Sequence, residues 1–124
     1  MGNYAIDKAH RVVCLRGEIP RTLREWCADL DAILADKDYE PGYGFLSDRR
    51  GVSEPPSDAY LLDGVRYLHE RRAQLAGCRW ALLTDNPAMD AWARAASMMA
   101  ESIGLHFGRF HNRDEAWSWL TEED

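Results

Sequence analysis

The chain has 124 residues, 46% of them hydrophobic, which suffices for one packed core and is too short for two ordinary domains. Fifteen Lys and Arg against 21 Asp and Glu leave a formal charge of −6, and the basic pairs Arg49-Arg50 and Arg71-Arg72 are short and flanked by acids, so no nucleic-acid partner is expected. No apolar stretch approaches the roughly 20 residues of a membrane span, and the first residues lack a signal peptide's basic segment and apolar core, so a cytoplasmic protein without an integral membrane segment is expected.

"NYAIDK" alternates polar and apolar residues, breaks near Ala9-His10, and is followed by the more apolar "RVVCLRG", which predicts an antiparallel strand pair. From Pro20, suited to a first helical turn, "PRTLREWCADLDAILAD" puts Leu23, Trp26, Cys27, Leu30, Ile33 and Leu34 at helical spacing. "DYEPGYG" is a loop and "YGFLSD" a short strand. "SDAYLLDGVRYLHERRAQLAG" predicts one helix, with Ser57 as N-cap, Asp58 at the positive end of the dipole and Gly77 as the stop. "CRWALLT" is apolar enough for a central strand. Asp85 or Asn86 then caps "PAMDAWARAASMMAESIG", with Pro87 in the first turn and Gly104 as the stop. "LHFGRF" is the last strand, and Asn112 with Glu115 has capping-box spacing for the helix "RDEAWSWLTEE".

The predicted order is ββαβαβαβα. Strands separated by helices of this length imply right-handed parallel crossovers. The expected fold is α/β, one domain over residues 1–124, with a mixed, mostly parallel five-stranded sheet.

In open α/β sheets, ligands bind beyond the carboxyl ends of the strands. That rule selects Asp48, Arg49 and Arg50, then Thr84, Asp85 and Asn86, then His111, Asn112 and Arg113. A carboxylate beside an imidazole can move protons, and an arginine can hold an anion. Each of these residues also has a structural use: Asp48 in a turn, Asp85 and Asn112 as caps, Arg49 in an ion pair. No nucleophile–base spacing is present, "SDRRG" is not a G-x-S-x-G elbow, and no catalytic residue is assigned. A small enzyme of hydrolase type around Asp48, Asp85 and His111 is the alternative reading.

His10, His69, His106 and His111 form no HxxxH, and Cys14, Cys27 and Cys78 form no CxxC, so neither metal nor cofactor is expected. Gly42-Tyr43-Gly44 precedes a strand, the wrong order for a dinucleotide fingerprint. Of the five tryptophans, Trp26, Trp80 and Trp92 lie on apolar stripes, whereas Trp117 and Trp119 are two apart on a helix, leaving one for solvent or a partner. Met89, Trp92, Met98 and Met99 are candidates for an apolar pocket or a dimer face.

The strings "GFLSDRRGV", "GCRWALLTDNPAM" and "GLHFGRFHNRDEAWSWL", set at the joints of this element order, resemble the SpoIIAA-like proteins of the STAS superfamily. The resemblance is to the small stand-alone bacterial branch described as STAS-like and related to CRAL-TRIO lipid-transfer folds. It implies a short β-α superhelix with a mixed sheet, self-association as a homodimer, and a protein partner or a small apolar, lipid-like ligand. In the family's anti-sigma antagonists, a serine at the start of the helix after this strand is phosphorylated. Ser53 and Ser57 are the nearest counterparts, but neither is followed by the small residue and glycine of the family turn. The function expected is that of a non-catalytic binding or regulatory domain.

Overall fold

The computed structural model describes residues 4–16, 22–52, 55–75 and 77–122; Pro20 and Ser53, singled out above, lie outside them. Strands β1 (Tyr4–Asp7) and β2 (Val12–Arg16) form the expected antiparallel pair. Then follow α1 (Leu23–Ala35), β3 (Gly44–Asp48), α2 (Asp58–Glu70), α3 (Arg72–Leu75), β4 (Arg79–Leu83), α4 (Pro87–Glu101), β5 (His106–Phe110) and α5 (Arg113–Thr121). The α/β class and the mixed five-stranded sheet are as expected. Strand order is β1-β2-β3-β4-β5, with β2 to β5 parallel.

Each crossover from β2 onward advances one strand in the same direction. Right-handed crossovers of that kind deliver their helices to one face of the sheet. Accordingly Trp26, Leu30 and Ile33 of α1, Leu68 of α2 and Ala93 of α4 pack with Val13, Phe45 and Trp80 in one core. Helix α5 takes the other face, where Ala116 and Leu120 pack on Val12, Leu46, Ala81 and Leu83.

Three helix starts follow local chemistry legible in the chain. Ser57 Oγ accepts from the Tyr60 N–H at 3.1 Å, Asn86 Oδ1 from the Met89 N–H at 2.9 Å, and Asn112 Oδ1 from the N–H groups of Asp114 and Glu115. The start of α1 differs from the proline reading. Thr22 and Glu25 form a reciprocal capping box, Thr22 Oγ1 accepting from the Glu25 N–H and Glu25 accepting from the Thr22 N–H.

The helix expected to run unbroken from Ser57 is interrupted at Arg71, between α2 and α3. The Arg71 guanidinium bonds Asp31 on α1 at 3.0 Å and lies 3.6 Å above the Tyr67 ring, which fixes the chain where it turns. Short α3 then buries Leu75, and Gly77, at φ +73°, takes the left-handed turn into β4.

The two faces are filled differently. On the three-helix face, Phe45, Trp80 and Phe107 stand in register on β3, β4 and β5 and stack at centroid distances of 4.4 and 5.2 Å. On the α5 face, Gly44 and Gly108 leave room for the helix. A Cβ on Gly108 would fall 2.8 Å from a Phe110 ring carbon and 3.2 Å from Trp119, and one on Gly44 would fall 3.0 Å from Leu120 Cδ2. A helix about 10 Å wide covers two or three strands spaced about 4.8 Å apart. The α5 side of β1 and β2 is therefore open, as a groove of about 640 Å³ lined by Asp7, Lys8, Cys14, Asp48, Arg113 and Trp117 among others. Among the described residues, no helix is long and apolar enough to cross a membrane.

Candidate functional site

Strand parity divides the expected rim. Side chains alternate along β3, so Ser47 and Arg49 face the three helices while Asp48 faces the α5 groove. Arg49 continues the strand by donating its N–H to the Leu83 carbonyl at 2.8 Å, and it is only 7% exposed. Arg50 folds back on Asp48 with a forked contact, Nε to Oδ1 at 3.0 Å and Nη2 to Oδ2 at 2.7 Å. That contact holds the Asp48 carboxyl below the usual aspartate range.

The remaining rim residues tie loops together. Asp85 accepts from the Gly51 N–H at 3.0 Å, and the side-chain amide of Asn86 donates to the Val52 carbonyl, joining the loop after β3 to that after β4. His111 Nε2 lies 3.1 Å from Asp90 Oδ1, which also accepts from Thr84 Oγ1 at 2.8 Å. The Thr84 bond, with the histidine beside it, holds the Asp90 carboxyl low.

Asp48, Asp85 and His111 are therefore each engaged with a different partner, and their contacts do not assemble one acid–base site. Thr84, Asp90 and His111 do not form a nucleophilic arrangement either. The hydroxyl donates to the carboxylate and not to the imidazole, and Thr84 is fully buried. The reason is topological. A ligand crevice at strand ends forms where strand order reverses and neighbouring connections leave on opposite faces. From β2 to β5 the order never reverses.

Space for a ligand opens elsewhere on the same strands, between the sheet, α2 and α4. A cavity of about 40 Å³ has aromatic walls from Trp26, Trp80, Phe107, Tyr60 and Trp92, with Leu61, Leu68, Leu82 and Ala96 among the other lining residues. Ser47 and Arg49 supply its polar side, and Ser47 Oγ accepts from the Trp80 Nε1–H at 2.8 Å. Trp92 has a buried Nε1–H that meets no acceptor among the described residues. A volume of this size accommodates two or three waters or the end of a small molecule, at about 15 Å³ per water-sized centre. A Cβ on Gly64 of α2 would sit 3.7 Å from the Trp26 ring, an ordinary contact.

The four residues expected to share an apolar face do not share one. Met89 is 1% exposed in the core, Trp92 lines the cavity, Met99 is half-buried, and Met98 is 68% exposed on the far side of α4. Turning 100° per residue, α4 can direct only part of that set toward any one neighbour. Trp117 and Trp119 likewise differ from the expectation that one is left over. They straddle the Ala116–Leu120 stripe of α5, Trp119 packing beside Phe110 and Gly108, Trp117 meeting His10 edge-on at 5.3 Å. Ser57 is engaged as a helix cap. Among the described residues, no three His, Cys, Asp or Glu side chains gather as a metal site.

Ser47 and Tyr60 were not singled out by the sequence patterns. The signal for Ser47 was the parity of β3: once Phe45 is assigned to the helix-covered face, Ser47 and Arg49 follow it. In the comparisons with known proteins, no family model, no curated protein and no solved structure matches the chain.

Proposed function

We propose that the chain is a non-catalytic binding domain of the SpoIIAA-like, STAS-related kind, taking a small apolar ligand in the cavity between the sheet, α2 and α4. The observation that carries this reading is the aromatic lining of that cavity, on the face of β3 to β5 that α2 and α4 cover. Small-molecule sites are concave, mostly apolar, and marked by a few converging polar groups. Ser47, Arg49 and Trp92 are those groups here.

The resemblance implies a mixed sheet, and the sheet here, parallel from β2 to β5 with an antiparallel first strand, is in keeping with it. The absence of an assembled acid–base site among Asp48, Asp85 and His111 favours binding over hydrolysis. Regulation through a homodimer or a protein partner belongs to the same reading.

Xenon tests the cavity directly, because dry apolar cavities bind it. Diffraction from crystals of the full chain under xenon pressure is expected to place the gas against Trp80 and Phe107. Native mass spectrometry of the freshly purified chain is expected to show a bound small molecule. A xenon-free interior together with a bare chain would overturn the proposal.

A further inference from the structure

We infer that the ligand of this cavity is an apolar molecule carrying one hydrogen-bond-accepting oxygen, and that the oxygen is received by the indole N–H of Trp92. The inference rests on the reading of the cavity as a ligand site and names the chemistry that site selects. Trp92 lines the cavity, and its Nε1–H is buried without an acceptor among the described residues. Indole nitrogen is a donor only, so the group that completes it must accept. Native proteins leave few buried donors unpaired, and such a donor beside a cavity marks where a guest's acceptor fits.

The second tryptophan of the lining behaves differently. Trp80 spends its N–H on Ser47 Oγ at 2.8 Å, inside the protein. One indole is therefore satisfied by the fold, and the other belongs to a lining residue and meets no acceptor among the described residues. Arg49 adds a permanent positive charge to the same lining, which favours a guest whose electronegative atom is its inner end. The rest of the wall is aromatic and aliphatic, so the guest's body is apolar. A lone water is the competing occupant. It needs two to four polar partners, whereas an oxygen attached to an apolar body needs fewer and fills the remaining space with carbon.

The test uses two probes of one shape, cyclopentanone and methylenecyclopentane, in which an oxygen acceptor is exchanged for a CH2 group. Each is titrated against the full chain and against Trp92→Phe, with circular dichroism confirming that the variant is folded. Loss of one neutral hydrogen bond corresponds to roughly a three- to ten-fold weaker Kd. That loss is expected for cyclopentanone alone, with methylenecyclopentane changed less than about two-fold. A measurement on the unaltered chain stands beside it: the Trp92 indole N–H resonance is expected to move downfield with cyclopentanone and to stay with methylenecyclopentane. Binding of both probes with the same response to Trp92→Phe, and no selective movement of the resonance, overturns this inference and leaves the cavity reading standing. Binding of neither probe overturns both.

Discussion

The two faces of the sheet are built from the same strands by opposite means. On one face, large aromatic side chains from three adjacent strands stack under three helices and leave a cavity of about 40 Å³. On the other, Gly44, Ala81 and Gly108 let a single nine-residue helix settle close to the backbone, and the uncovered strands form an open groove of about 640 Å³. Residue size decides how much space each face leaves. Large side chains meeting from several directions leave a small gap between them, whereas one helix on a broad sheet leaves a wide groove beside it.

The largest break in this comparison is Trp80→Ala. It removes the ring between Phe45 and Phe107 and is expected to cost about 3–5 kcal/mol in urea unfolding, enough to unfold a marginal domain. Next is a pair of glycine substitutions with opposite signs. Gly108→Ala forces a Cβ to 2.8 Å from Phe110 on the thin face and is expected to destabilise by about 1–3 kcal/mol. Gly64→Ala on the thick face meets Trp26 at 3.7 Å, an ordinary contact, and is expected to stabilise α2 by about 0.5–1 kcal/mol. Equal signs in thermal melts would contradict the packing difference.

A smaller effect concerns acid. Asp48 is held low by Arg50 and Asp90 by Thr84. A carboxyl with a depressed folded-state value contributes stability above its unfolded value, and that contribution is lost as pH falls through the folded one. Stability is therefore expected to decline as pH drops below the ordinary aspartate range near 4, and Asp90→Asn is expected to flatten that decline in urea midpoints measured from pH 6 to pH 2.

The smallest expected effect is a labelling difference that leaves stability untouched. Burial pushes the Cys78 thiol up to about 12, whereas Cys14 lines the open groove. At pH 8 only about one Cys78 in ten thousand is thiolate, so a thiol reagent is expected to modify Cys14 and leave Cys78 intact in the native state. Mass mapping of the labelled chain reads the outcome.

Much of the fold was legible in the chain because the signals are local. Ser57, Asn86 and Asn112 each cap the helix they precede, and the strands β3 and β4 stand out as short apolar runs between turn residues. The capping box Thr22–Glu25 was equally local and lay in the string "TLRE", overshadowed by the stronger helix-start signal of Pro20. The break at Arg71 was not legible, because its partner Asp31 is 40 residues away on α1. The site was legible by halves. Strand-end position singled out Asp48, Arg49 and Arg50 together, but only the assignment of faces separates Arg49, in the cavity lining, from Asp48, in the groove. Met89, Trp92, Met98 and Met99 looked alike in composition, and only the rotation of α4 against its neighbours distinguishes a core residue from an exposed one.

The order β1-β2-β3-β4-β5 also bears on how the chain assembles as it is synthesised. Every strand pairs with one already made, so each emerging segment can dock on its predecessor without waiting for a distant partner, and loop-closure entropy stays low. The exception is the stripe of Val12, Leu46, Ala81 and Leu83, which has no cover until α5, the last element, is complete. A nascent chain halted before Arg113 would carry that stripe bare, so a growing, adhesive sheet loses its exposed apolar stripe only when α5 docks.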